Sequence, residues 1–405
     1  MSPVAPTVPR RAVLAAARGV RWSIAAASLA LLTACSSLSS SSLGSLVGLG
    51  SSSRPKPAEL TPSPDLIGVR LAWTARLPST LATLQTRVVD GSVIVASADG
   101  IVLRLDAQDG REISRTSLAT TLTAGVGSDG KTTAVVTADN ELVALQAGGQ
   151  GVREAWRRRV GAQVQTAPLV AGERVFVLGA DRAVTAFDAA TGERLWQHTR
   201  PGEPLVLRQP GLLMAVGDTL VAGLSGRVVG FNPNTGAVRW EAALAIPRGS
   251  NDVERLVDVV AGVNRQGSVV CARAFQASVG CVDAARGSVL WTRPASGSTG
   301  VHGDAELLLG TEADGRVRAW NRTSGDPQWS TELLRWRALT APQVLGRSVA
   351  IGDGNGFVHL LSRTDGQLLR RLSTDGSAIA SAPVLAGQTL VVVTRAGGVY
   401  GFRPD

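Results

Sequence analysis

Short apolar and alternating runs, broken by Gly, Asp and Asn, fill the chain from about residue 69 onward. Residues 174–179 and 183–187 are such runs, rich in Val, Phe and Leu, with Ala180-Asp181-Arg182 between them. Runs of this length and composition predict strands. Asp-Gly or Asn-Gly between them predicts hairpins, because both residues tolerate positive φ. Ser97-Ala98-Asp99-Gly100, Ala313-Asp314-Gly315 and Asp353-Gly354-Asn355-Gly356 are turns of this kind. Thr166-Ala167-Pro168, Thr340-Ala341-Pro342 and Ser381-Ala382-Pro383 precede strands, where proline forfeits no ladder bond. No amphipathic helical period follows the N-terminal region.

The strands come in repeats. Ala186-Phe187-Asp188-Ala189-Ala190-Thr191-Gly192-Glu193-Arg194-Leu195-Trp196 recurs at 230–240, 281–291 and 319–329, with weaker copies at 105–114, 144–156 and 361–370. Ser114 and Arg370 stand where the others carry Trp. The turn glycines Gly110, Gly151, Gly192, Gly236, Gly287, Gly325 and Gly366 fall roughly 40–50 residues apart, one four-stranded propeller blade per step. Val399 to Arg403 matches the strand before the turn and has no turn after it. Leu71-Ala72-Trp73-Thr74 is a Trp strand with no preceding copy of the repeat. The two halves make one blade. The expected fold is all-β: an eight-bladed propeller over 69–405, closed by the N-terminal strand pairing with the C-terminal hairpin. Asp106, Asp188, Asp283 and Asn321 share one repeat position and are expected to bond turn amides. Trp73, Trp156, Trp196, Trp240, Trp291 and Trp329 are expected to pack against neighbouring blades.

The N-terminus is of another kind. Arg10, Arg11, Arg18 and Arg21 precede a short apolar stretch over 22–32 that ends in Leu32-Thr33-Ala34-Cys35. This resembles a bacterial lipoprotein signal, with 1–34 the signal peptide and Cys35 the acylated residue. Such signals imply outer-membrane sorting when Ser, here Ser36, follows the cysteine. Ser, Gly and Pro dominate 35–68, a composition expected of a flexible tether.

Charge adds little. The net charge is +9, from 41 Lys+Arg and 32 Asp+Glu, but the arginines are scattered and form no basic stripe, so nucleic-acid binding is not expected. Cys271 and Cys281 are about equally far from a hairpin turn near Gln276. They form either a disulfide, which an oxidising compartment permits, or two small buried apolar residues. His198, His302 and His359 lie in different repeats. No nucleophile, phosphate-loop or metal motif is present, and no catalytic or metal residues and no cofactor are expected.

The repeat is similar to the pyrroloquinoline-quinone-type propeller repeat. Lipobox, tether and eight blades without an enzyme site resemble the BamB family, lipoprotein subunits of the outer-membrane β-barrel assembly machine. Glu203-Pro204-Leu205-Val206-Leu207-Arg208 resembles that family's loop of two leucines and an arginine. Residues 251–260 resemble its acidic segment, with Glu254 for one Asp and Val260 where the last Asp stands. The resemblance implies a non-catalytic scaffold that binds the periplasmic domains of BamA through Leu205, Leu207, Arg208, Glu254, Arg255 and Asp258. It also implies association with other machine subunits and a lipid anchor on the periplasmic face of the outer membrane of a Gram-negative bacterium. Strand edges of the propeller are expected, from the fold itself, to offer pairing to unfolded outer-membrane proteins. The chain alone leaves open that both leucines fold under the loop while Arg208 pairs with Glu203. A periplasmic quinone-dependent dehydrogenase and a generic ligand-binding propeller are the alternatives.

Overall fold

The computed structural model describes residues 55–148, 151–200, 205–247, 250–251 and 255–405. Every regular element among them is a strand. Eight four-stranded antiparallel sheets follow one another, and seven have strands in chain order. The eighth is composite: β1 (Val69–Arg76) pairs with β32 (Gly398–Pro404), which continues into β31 (Thr389–Val393) and β30 (Val384–Ala386). The ring therefore closes as the repeat predicts. We number the blades from β2–β5, residues 87–117, as blade 1, so the composite is blade 8.

First strands of neighbouring blades approach one another and line the axis, while fourth strands form the rim. Antiparallel order fixes two faces. Turns between first and second strands, and between third and fourth, open on one. Turns between second and third strands, and the connectors between blades, open on the other, called here the connector face.

The core lies between blades rather than within them. Eight apolar layers fill the eight junctions. Val175, Val177 and Phe187 of blade 3 meet Ala124, Val136 and Leu142 of blade 2, for example. Trp73, Leu77 and Val399 meet Val93 and Leu103 where blade 8 adjoins blade 1. Removal of one layer's residues from water contributes on the order of 25 cal/mol per Å² of apolar surface, so each blade is stabilised mainly by its neighbours.

The repeat's marker residues join the blades. Trp156 Nε1 donates to Ala189 O at 2.9 Å, Trp196 to Pro233 O at 2.9 Å, and Trp291 to Arg322 O at 2.8 Å, each in the third turn of the next blade. A Cβ on Gly192 would lie 2.5 Å from the Trp156 ring, so the turn needs glycine both for its φ of +70° and for this stacking. Asp188 Oδ1 accepts from the Ala190 and Thr191 amides at 3.0 and 2.8 Å, the expected turn role. One feature was not expected. In all eight blades the third and fourth strands slip register at the residue just before the Trp position, as at Leu195 before Trp196. A bulge there twists the rim strand and re-aims the ring toward the next blade.

The exceptions pair off. Blade 1 has Ser114 for Trp, and the turn it faces in blade 2 holds Gly151 with no atom near its missing Cβ. Blade 7 has Arg370, and blade 8 has no turn between β32 and β1.

Candidate partner-binding site

The two longest blade connectors are adjacent on the connector face. Residues 199–212 run from β13 (Arg194–His198) to β14 (Leu213–Val216), and 244–258 from β17 (Val238–Ala243) to β18 (Val259–Gln266). Among the described residues neither contains a strand, and beyond an isolated bridge at Gly211 their backbone groups need other partners.

They find them in each other. Asp258 Oδ2 accepts from the Leu207 amide at 3.0 Å. Its carbonyl accepts from the Phe275 amide of blade 5 at 2.9 Å. Ala261 N donates to Pro210 O at 2.8 Å, and Gly211 bridges Val260. Beneath them Arg182, in the central turn of blade 3, donates through Nη2 to Leu205 O at 2.7 Å and lies 3.7 Å from Asp258 Oδ1. Arg182 is only 7% exposed and has φ of +60°. A guanidinium suits this post, because its several fixed donors can hold a carbonyl and a carboxylate together.

The outer surface differs in character. Leu205 is 40% exposed and Ile246 61%. Arg208 is exposed, with no ion pair among the described residues, and Leu207 and Arg255 are half-buried. Ile246, Leu256, Phe275 and Pro294 line a groove beside the second connector. Exposed apolar side chains therefore stand beside an arginine, a residue type enriched at protein interfaces, on a braced loop.

A cluster of titratable groups lies elsewhere, at the junction of the blade 6–blade 7 connector with blade 7. His359 Nε2 lies 3.0 Å from Asp353 Oδ2, and Arg337 Nε donates to the same oxygen at 2.8 Å. Burial alone would raise the Asp353 carboxyl, but hydrogen bonds from His359, the Phe357 amide and Arg337 bring it down to about 2. Burial pushes His359 below its ordinary value against the pull of Asp353. His359 Nδ1 has no partner, which suits a neutral ring protonated on Nε2. His359 and Asp353 are both fully buried, so no substrate reaches them, and the group ties the blade 6–blade 7 connector to blade 7. No group of three metal-ligating side chains occurs among the described residues.

Comparison with known proteins decides the family. The family model described as outer membrane protein assembly factor BamB matches residues 98–331. A BamB of Burkholderia pseudomallei is 39% identical over 354 residues, covering 87% of this chain and 92% of its own. A BamB of Bordetella pertussis is 37% identical over 391 residues, covering 96% and 98%. The chain belongs to the BamB family. The BamB of Moraxella catarrhalis shares the fold at a TM-score of 0.75 and 23% identity, covering 83% of this chain and 99% of that one. A quinohemoprotein alcohol dehydrogenase of Comamonas testosteroni has a TM-score of 0.63 at 17% identity, a likeness of fold alone.

The residues that the BamB resemblance implies take different places. Leu205 and Arg208 face solvent, Leu207 lines the cleft beneath the loop, and Asp258 is turned inward as a brace. Val260, at the last acidic position of the BamB pattern, is 2% exposed on β18. Glu254, Glu203 and Cys35 lie outside the described residues. Cys271 and Cys281 are register partners and are joined as a disulfide, with Cα atoms 4.0 Å apart. Arg182 and Ile246 were missed by the sequence reading. Arg182 looks like one more turn arginine, and only the fold brings its turn beneath the connectors. Ile246 carried a faint signal, an isoleucine before Pro247 in a connector with no strand to enter.

Proposed function

We propose that this protein is a non-catalytic scaffold of the outer-membrane protein assembly machine. Acylated at Cys35, it is held at the periplasmic face of the outer membrane and binds the periplasmic domains of BamA through its two long connectors. The carrying observation is the brace: Arg182 and Asp258 lock both connectors into one platform from which Leu205, Arg208 and Ile246 project. A preorganised loop loses less entropy on binding, so modest contact area suffices. The protein performs no covalent step. It raises the local concentration of its partners near the membrane and orients them. Family membership supports the assembly role, and the relatives carry that role in their names.

The test is co-purification of BamA with the detergent-solubilised protein. Leu205→Ala/Leu207→Ala/Arg208→Ala should lower capture about 100-fold, the effect of two or three hot-spot side chains, with an unchanged circular dichroism spectrum. Undiminished capture by the folded variant removes the platform from the account. A wild-type protein that captures no BamA removes the partner.

A further inference from the structure

Residues 55–67 have the composition of a linker, yet they lie along blade 7. The Ala58 amide donates to Arg335 O at 2.9 Å, and Ala58 O accepts from Arg337 Nη1 at 2.9 Å. Further along, Arg371 Nη1 donates to Thr61 O at 2.8 Å and the Arg371 amide to Ser63 Oγ at 3.0 Å. The Leu66 amide donates to Leu369 O at 2.9 Å, and Arg370 Nη1 to Ile67 O at 2.8 Å. Leu60 packs into the layer between blades 6 and 7, and Ile67 into that between blades 7 and 8.

The repeat explains why the segment sits here. In five other blades the rim Trp donates to a carbonyl in the third turn of the next blade. Blade 7 faces blade 8, whose third and fourth strands are β32 and β1, with no turn between them. Arg370 occupies the Trp position, and Ile67 supplies the carbonyl. Leu369, the bulged residue of that rim strand, is left without a ladder partner, and Leu66 takes its carbonyl.

We propose that residues 55–67 are a docked strap that replaces the missing turn of blade 8 and forms an arm held along blade 7 as far as the connector face. Val69 begins β1 on the opposite face, whereas Ala58 meets Arg335 and Arg337 in the blade 6–blade 7 connector. The strap thus climbs the rim, and its described N-terminal end lies on the connector face, which also carries Leu205 and Arg208.

The chain's only two lysines provide the test. Lys56 lies in the strap on the connector face. Lys131 lies in the first turn of blade 2, on the face where Val69 begins. A short amine-to-amine cross-linker applied to the full chain should give almost no intramolecular Lys56–Lys131 product. In Arg370→Ala/Arg371→Ala a released arm gains about 3.3–3.6 Å of reach per residue from Val69, enough to approach blade 2 on that face, and the product should rise at least about tenfold. Leu60→Ala/Ser63→Ala, which alters the strap and leaves the blades intact, should raise it in the same direction. Amide exchange at Ala58 and Leu66 should be slow in the wild type and fast in both variants. Equal cross-linking in wild type and variants, or open-chain exchange at Ala58 and Leu66 in the wild type, overturns the proposal. So does continued protection of both amides in both variants. Because no partner is present, these outcomes are independent of whether BamA binds.

Discussion

Arg273→Ala should cost about 3–5 kcal/mol of stability, the usual penalty for stripping one partner from a buried ion pair. Arg273 and Glu312 are essentially sealed between blades 5 and 6, with 3.4 Å from Nη2 to Oε1. Burial disfavours the Arg273 charge and Glu312 opposes that effect. An arginine does not escape by losing its proton, so the pair stands or falls together. The neighbourhood is built around it: a Cβ on Gly297 or Gly310 would overlap the guanidinium. Glu312 Oε2 also accepts from Ser296 Oγ at 2.9 Å, which holds the start of the blade 5–blade 6 connector. With alanine at 273 the carboxylate remains buried with Ser296 alone. Arg273→Met/Glu312→Gln, which removes both charges and keeps the volume, should recover more than half of the loss. Urea unfolding followed by circular dichroism measures both, and a loss under about 1 kcal/mol for the single variant refutes the argument.

Arg182→Ala should weaken BamA capture by about tenfold or more although Arg182 is buried and outside the proposed contact surface. It is a positioning residue. Its guanidinium holds the Leu205 carbonyl and stands beside Asp258, whose carboxylate holds the Leu207 amide. Without it both leucines lose their common reference and the free loop must be ordered on binding. Arg182→Lys should recover only part of the affinity, because one ammonium does not reproduce a planar fork. Slower dissociation in the wild type than in Arg182→Ala, at similar association rates, is the expected kinetic signature. A folded Arg182→Ala protein that captures BamA as well as the wild type contradicts the bracing role.

The fold was legible because it repeats. Seven turn glycines at a near-constant step and two half-blades at the ends leave few closed arrangements, and the Asp and Trp positions do in the structure what their recurrence predicts. The rim bulges were invisible, since a register slip adds no residue type of its own. The strap was read with the tether because Pro, Ser and Thr carry no strand period. It is held by backbone groups against Arg335, Arg337, Arg370 and Arg371, and no linear pattern announces that. Arg370 did stand out as a departure from the repeat, but its reason is the missing turn next door. At the candidate site Leu205 and Leu207 were legible as apolar residues in a loop, and Leu205 is the exposed one. Asp258 was named through the resemblance as a partner contact, and its inward bracing was not legible, because Arg182 comes from a turn 76 residues earlier in number. Val260 looked like a lost acidic contact and is a core residue of β18.

The most direct measurement is in-cell photo-crosslinking from two positions, Leu205 on the connector face and Lys131 on the opposite one. An adduct with the BamA periplasmic domains is expected from Leu205 and none from Lys131. Absence of the Leu205 adduct, or equal yields from both positions, contradicts that expectation.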